Sequence, residues 1–218
     1  MLIELSNNNH IASKQEIFEY YDFTMKNDVS LLSVFPYYTT YFSDLSKISL
    51  MIDHPYGCGD VSSRENAVYI ACKTGVKAVD VVVNQTLLNN EEYGKILHEM
   101  RSLYKCCQDY GVKLRIVVDH RFTEVKIMQN LAKLLKNENI TYWITSTMLI
   151  VDDYCDNLVA AERVSSMGMK TICSSSMWLE RHVPIFLTTK NYAIKTNSIK
   201  FIKIYMNLVY NIVGKEIN

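Results

Sequence analysis

Turn-forming residues are scarce: 218 residues carry seven glycines and three prolines. That excludes collagen-like and linker-rich chains and disfavours an all-β fold built on many tight turns. Charge of one sign is also missing. Twenty-three Lys and Arg balance twenty-three Asp and Glu, so the net charge gives no electrostatic footprint for nucleic acid or an acidic membrane. No apolar run approaches the roughly 18 residues that a membrane span needs. The opening Met1-Leu2-Ile3-Glu4-Leu5 has no basic stretch ahead of its short apolar run, so it does not read as a secretory signal. The six cysteines, Cys58, Cys72, Cys106, Cys107, Cys155 and Cys173, form no C-x-x-C pair. No metal-ligand spacing results, and the expectation is reduced thiols in a cytoplasmic protein with no metal and no cofactor.

Half of the residues are apolar (49%), enough for a sizeable core. They fall in short, β-branched runs: 2–5, 29–35, 48–53, 78–84, 113–119, 141–145, 169–173 and 192–196. Runs of this length that are almost uniformly apolar predict strands covered on both faces. Between them lie amphipathic segments. Residues 13–27 open on a Ser cap with Glu16 three residues later, and Ser62-Ser63-Arg64-Glu65 reads as a capping box closed by Gly75. Segments 91–110, 123–137 and 152–167 follow, two of them ending at Gly111 and Gly168. A helix over about 198–213, apolar on most of its circumference, comes last and is expected to pack on the barrel wall or on a partner chain.

Eight strands alternating with helices predict a parallel sheet. The count of eight, with no glycine-rich turn after the first strand, favours a closed (β/α)8 TIM barrel of the α/β class over an open sheet. The expectation is one compact domain over residues 1–218.

Catalytic groups in such barrels come from the C-terminal strand ends and the loops behind them. The polar residues there include Glu4, Asp53-His54, Asp80, Asn84, Arg115, Asp119-His120, Thr145-Ser146-Thr147, Lys170 and Lys195-Thr196. Asp80, in Val79-Asp80-Val81-Val82-Val83, and Lys170, in Met169-Lys170-Thr171-Ile172, interrupt apolar runs. A charge at such a position is costly unless it is paired or used. The pair reads either as a structural ion pair or as an acid/base or Schiff-base site. Trp143 and Trp178 read as packing residues.

Several segments, in order, resemble the 2-deoxyribose-5-phosphate aldolase family. Ile3-Glu4-Leu5-Ser6 resembles that family's I-D-x-T, Ser33-Val34-Phe35-Pro36 its C-V-x-P, and Met51-Ile52-Asp53-His54-Pro55-Tyr56-Gly57 its V-I-G-F-P-x-G. The most specific match is Gly75 to Asn84 (GVKAVDVVVN) with G-A-D-E-I-D-M-V-I-N. Leu114 to Asp119 resembles L-K-V-I-I-E, Thr145-Ser146-Thr147 the T-S-T of K-T-S-T-G, and Met169-Lys170 the V-K of strand seven. The resemblance implies a class I aldolase on a (β/α)8 barrel. In that mechanism a strand-six lysine forms the Schiff base, a strand-seven lysine lowers its pKa, and a strand-four aspartate relays protons. Carried over, the aspartate is Asp80 and the second lysine is Lys170. The Schiff-base position is Ile144, and an alkyl side chain is no nucleophile. The family's phosphate-binding glycines become Ser174-Ser175 and Lys195-Thr196-Asn197, which weakens that site.

Three readings follow. Lys170 is itself the amine nucleophile of a divergent carbon–carbon lyase, with Asp80 as proton relay. Alternatively, Asp80, Lys170 and a second carboxylate (Asp119, Asp53 or Glu4) perform acid/base chemistry on a carbonyl compound without a covalent intermediate. Or the barrel is a non-catalytic relative that binds a ligand or partner protein. The expected catalytic set is Lys170, Asp80 and Asp119. The expected substrate contacts are Glu4, Asp53, Asn84, Ser146, Thr147, Ser174, Lys195 and Thr196. The expected partner is a small carbonyl or sugar-like substrate, with no nucleic acid and no membrane, in a homo-oligomer such as a dimer.

Overall fold

The structure, a computed structural model, describes residues 1–151 and 153–213, with side chains through residue 210. Eight parallel strands close on themselves in sequence order. They are β1 (Leu2–Ser6), β2 (Leu31–Val34), β3 (Ile48–Ile52), β4 (Ala78–Val82), β5 (Lys113–Val117), β6 (Tyr142–Ile144), β7 (Lys170–Ser174) and β8 (Ala193–Thr196). Pairing of Glu4 with Lys195 closes the ring between β1 and β8. The helices are α1 (Lys14–Lys26), α2 (Val61–Lys73), α3 (Gln85–Asn89), α4 (Tyr93–Asp109), α5 (Val125–Asn137), α6 (Tyr154–Ser165), α7 (Val183–Thr188) and α8 (Ile199–Val213). The barrel predicted from the apolar runs is the fold found. None of the described helices is long and apolar enough to cross a membrane.

Side chains alternate across each strand. One set, including Leu5, Val34, Leu50, Val79, Val81, Ile116, Trp143 and Ile194, joins the buried helix faces in the main core. Trp178 lies in the same core, as expected of a packing residue. The other set points into the barrel and divides in two. Asp80, Arg115, Glu4 and Lys195 make a polar half. Val82, Val117, Ile144, Ile172 and Ala193 make an apolar one.

Local signals explain the helix ends. Ser13 caps α1 by accepting from the Glu16 amide at 3.1 Å. The cap of α2 differs from the expected one. Asp60, rather than Ser62, accepts from the Ser63 amide at 3.0 Å, because a carboxylate one residue ahead of the helix is a strong acceptor at the positive end of the helix dipole. Gly75, Gly111 and Gly168 stop their helices with φ of +84°, +68° and +84°. The segment expected over 91–110 starts at Tyr93, since Glu91 has φ +55° and breaks the run. Of the segment expected over 152–167, Asp152 lies outside the described residues. Helices α3 and α7 and the 3-10 turns Pro36–Tyr41 and Glu180–His182 were not legible, being too short to show a 3.6-residue period. Helix α8 buries Phe201, Ile202 and Tyr205 and packs on its own barrel.

Arg64 ties the wall together behind the site. Its guanidinium reaches Glu99 on α4 at 2.6 Å, Asp53 at 2.8 Å, and the carbonyls of Gly57 and Val82 at 2.8 and 2.7 Å. Gly57 makes the closest approach of the loop behind β3. At φ +66° an added Cβ would stand 2.5 Å from the Val83 carbonyl oxygen, whereas a Cβ at Gly75 meets nothing within 4 Å. Gly75→Ala is expected to cost the left-handed penalty alone, ~1 kcal/mol, and Gly57→Ala distinctly more, as read by urea denaturation. Equal costs at the two positions would contradict this packing.

Candidate functional site

Four charges meet inside the barrel, one from each of β1, β4, β5 and β8. Arg115 is the bridge. Its Nε and Nη2 donate to the two oxygens of Asp80 at 2.6 and 2.9 Å, and its Nη1 donates to both oxygens of Glu4 at 2.8 and 2.7 Å. The Lys195 ammonium donates to Asp80 Oδ2 at 2.7 Å. The hydroxyls of Ser33 and Ser49 complete Asp80 at 2.9 and 2.7 Å. All four charged residues are 3% exposed or less. Two anions and two cations leave the group neutral, which is the condition for keeping charge in a low-dielectric interior.

Burial by itself would raise the Asp80 pKa. The Arg115 and Lys195 charges outweigh it and hold the carboxyl below its ordinary range. Burial lowers the Lys195 pKa, and the Arg115 charge pushes the same way against Asp80 and Glu4, leaving the amine below the usual lysine value. A neighbouring cation therefore disfavours the charged amine, and it comes from β5.

Lys170 stands elsewhere. The expectation that it shares a pocket with Asp80 is corrected by its position. It pairs with Tyr142 at the first residue of β7, two residues, ~6–7 Å of strand, before Ile172. Its side chain is exposed. The ammonium lies 5.0 Å from the Tyr142 ring and 5.9 Å from the Tyr192 ring, with Nζ 3.4 Å from the Tyr142 hydroxyl. This is the N-terminal mouth, opposite the strand ends where (β/α)8 chemistry is done. The residue paired with Ile144 on β7 is Ile172, so hydrocarbon fills both positions.

Asp119 is buried, but not beside Asp80. Its oxygens take Arg121 Nε at 2.7 Å and Nη2 at 2.5 Å, and the Thr147 amide and hydroxyl at 3.2 and 2.9 Å. Burial opposes its ionisation. The Arg121 contacts and the Thr147 bonds win, and its pKa is lowered. Arg121 also donates to the Ile150 carbonyl, so Asp119 latches the loop after β6. Asp53 is drawn to Arg64 and to the Gly59 amide at 2.7 Å, away from the charged group. Asn84 caps α3. Ser146 Oγ accepts from the Met148 amide at 3.0 Å, and Thr196 Oγ1 from the Ser198 amide at 3.2 Å. Of the expected substrate contacts, Glu4 and Lys195 join Asp80. Ser174 lies next to Lys195 in the β7–β8 register, and its buried hydroxyl has no hydrogen-bond partner.

His54, on the loop after β3, was read with Asp53 as a polar pair at a strand end and given no role of its own. Its Nε2 donates to the Thr147 carbonyl at 2.9 Å, which fixes the tautomer and leaves Nδ1 a buried acceptor with no partner. Burial holds its pKa below the ordinary value, and the Lys195 charge acts in the same direction. The imidazole is neutral at pH 7. Its signal is the tripeptide Asp53-His54-Pro55 at the C-terminal end of a strand. Arg115 carried an equally plain one, a cation at the centre of the apolar run 113–119. Among the described residues no group of three His, Cys, Asp or Glu side chains is placed to hold a metal.

No protein-family model matches the chain. A curated relative, deoxyribose-phosphate aldolase 1 of Mesoplasma florum, is 27% identical over 123 residues, 54% of this chain. The chain therefore spans just over half, 56%, of that relative's length. Among solved structures, the deoxyribose phosphate aldolase of Aeropyrum pernix, described as a tetramer, superposes with a TM-score of 0.81 at 16% identity, over 94% of this chain and 88% of that one. An aldolase designated QR15 gives 0.79 at 16% identity, over 94% and 96%. The chain resembles the deoxyribose-phosphate aldolases in sequence and in fold. At these identities the structural likeness speaks for the barrel alone.

Asp80→Asn leaves two buried cations short of an anion and is expected to lower stability at pH 7 by ~3–5 kcal/mol, measured by urea denaturation. The folded Asp80 pKa lies below the unfolded value of about 3.9. Its contribution is therefore complete above that pH and fades as pH falls further, so the gap between parent and variant narrows below about pH 4. A gap that stays constant down to pH 3 would contradict the ionised, paired Asp80.

Proposed function

We propose that this chain is an aldolase-type carbon–carbon lyase in which Lys195 supplies the reacting amine and Asp80 its proton partner. The amine role expected of Lys170 moves to Lys195 because Lys195 alone of the two faces Asp80. The observation that carries the reading is the Lys195 ammonium 2.7 Å from Asp80, inside a closed parallel barrel, with Arg115 bound to the same carboxylate. A lysine with a lowered pKa spends more time as the free amine, the form that attacks a carbonyl.

The chemistry then runs in balanced steps. The Lys195 nitrogen adds to the carbonyl carbon, giving a carbinolamine, and loss of one water gives a protonated imine. Asp80, ionised and already hydrogen-bonded to Lys195, takes the proton the ammonium must give up and returns it to the carbinolamine hydroxyl, which leaves as that water. As the carbon–carbon bond then breaks, its electron pair flows into the cation to give an enamine, while the hydroxyl of the departing fragment gives its proton to Asp80 and the fragment leaves as an aldehyde or ketone. The enamine takes that proton back at carbon, and one water hydrolyses the resulting imine to the second carbonyl product and the Lys195 ammonium. Ser174 Oγ and His54 Nδ1, both without protein partners, are the polar atoms left to meet a substrate hydroxyl or carbonyl near Lys195. The reading treats residues 1–218 as one barrel that uses no cofactor and takes a small carbonyl substrate. Assembly into a homo-oligomer belongs to the same reading, supported by the tetrameric Aeropyrum relative.

A non-catalytic binding role is the competing reading. One observation favours it: Asp80 already accepts five hydrogen bonds, two from Arg115 and one each from Ser33, Ser49 and Lys195. Borohydride reduction in the presence of a panel of small ketones and aldehydes separates the two. The amine reading expects a reduced adduct that peptide mapping places on Lys195, unchanged in Lys170→Ala and absent in a folded Lys195→Met. An adduct only on other lysines, or none with any carbonyl compound, would overturn it and leave the binding role.

A further inference from the structure

The loops behind β3 to β6 enclose a cavity of about 320 Å3 that the charged group does not reach. The apolar part of its wall is Pro55, Tyr56, Val82, Phe122, Leu149 and Ile150; Cys58, Gln85, Asp119 and Thr147 supply the rest. Val82 belongs at the same time to the apolar half of the barrel interior, with Val117, Ile144, Ile172 and Ala193. Hydrocarbon surface thus continues from the mouth down to Ile144. Four of the wall residues, Tyr56, Phe122, Leu149 and Ile150, are 48 to 64% exposed. A cluster of exposed apolar side chains at a barrel mouth marks a place where something apolar is received.

The charge pattern narrows what that is. No lysine, arginine or histidine lines the cavity, and its one ionisable acid, Asp119, is held as a carboxylate by Arg121 and Thr147. A phosphoryl group there would meet a carboxylate and no lining cation. Four backbone amides at the end of β7 and in the loops after β7 and β8 are already occupied. The Ser174 amide donates to Thr145 Oγ1 at 3.0 Å and the Ser175 amide to the Lys195 carbonyl at 3.1 Å. The Met177 and Ser198 amides donate to Ser175 Oγ and Thr196 Oγ1 at 3.0 and 3.2 Å. Trp178, buried, donates its indole N–H to the Lys195 carbonyl at 3.0 Å. An anion cradle of free backbone N–H groups would lack these four.

We infer that the mouth cavity receives an unphosphorylated compound with an aliphatic or aryl body, seated on Tyr56, Phe122, Leu149 and Ile150. That this compound is a carbonyl substrate rests on the function proposed above; its apolar body and lack of phosphate rest on the cavity itself. Apolar burial supplies the affinity, and the charged groups of the interior are left to the reacting end.

Cys58 makes the cavity measurable. Its thiol lines the wall and is exposed, while Cys155, also exposed, is not part of that wall. The rate of iodoacetamide alkylation at the two cysteines, read by peptide mapping of the whole chain, reports occupancy. Acetophenone is the apolar probe and dihydroxyacetone phosphate the phosphorylated one. A bound probe that shields the thiol slows its reaction by 1 + [L]/Kd, about threefold at twice the dissociation constant. Acetophenone is expected to slow Cys58 and leave Cys155 unchanged, dihydroxyacetone phosphate to slow neither. Leu149→Asp and Phe122→Asp, both at half-exposed positions that the fold tolerates, are each expected to abolish the protection. Protection by the phosphorylated probe, or by neither probe, would overturn the inference. Protection by acetophenone without any borohydride adduct would leave the cavity's ligand class standing and remove only the amine chemistry.

Discussion

The structure depends on one guanidinium. Arg115 holds Glu4 with one edge and Asp80 with the other, and through Asp80 it fixes Lys195. An arginine suits this place because its planar donors match two carboxylates at once and it stays charged when buried. Removing it would leave two acids and one amine in a space closed to water. With it, strands β1, β4, β5 and β8 are joined across the barrel by side chains as well as around it by the ladder. The same guanidinium sets the electrostatics of Lys195. One set of contacts therefore answers for cohesion and for the reactivity proposed.

That dual use explains why the interior is divided. An apolar filling throughout would be the simpler core. The polar residues lie instead to one side, and β4 to β8 contribute a patch of hydrocarbon that includes Ile144 and Ile172. The patch leads upward to the apolar mouth, and the charged side holds the amine and its carboxylate. Function on this scaffold departs readily from fold, and the departure proposed for this chain has a physical outline. Ile144 stands where the resemblance places a Schiff-base lysine and Ile172 is its neighbour on β7, several amides of the loops after β7 and β8 are engaged by internal hydrogen bonds, and an amine from the eighth strand has an acid and a cation beside it.

Much of the fold was legible because covered parallel strands write themselves as short apolar runs, and eight of them alternating with amphipathic segments leave few architectures. Strand ends were read a residue or two long wherever an apolar residue continues past the ladder, as at Val83 and Val118. Asp80 was legible for the reason that proved right, a carboxylate in a run of valines. Lys170 was misplaced because sequence fixes the direction in which a strand residue points and says little about its depth. Lys170 shares the inward parity of Ile172 and Ser174, but it is the first residue of β7, where a long side chain reaches water past two tyrosines. Lys195 was taken for a substrate contact; in the structure its ammonium turns to Asp80. Arg115 was noted and not weighed, since its partner Glu4 lies 111 residues away. The tautomer of His54 and the occupied amides of the loops after β7 and β8 depend on hydrogen bonds that no single-sequence period records.

The central claim is that Lys195 is an amine held below its ordinary pKa by burial and by Arg115 while it faces an ionised Asp80. The direct measurement is an NMR titration of the lysine side chains labelled with 15N at Nζ, the Lys195 signal being assigned by its loss in Lys195→Arg. The account predicts a Lys195 pKa below the ordinary lysine value of about 10.4. A value at or above that, or a Lys195 signal exchanging with water as freely as those of surface lysines, would contradict it.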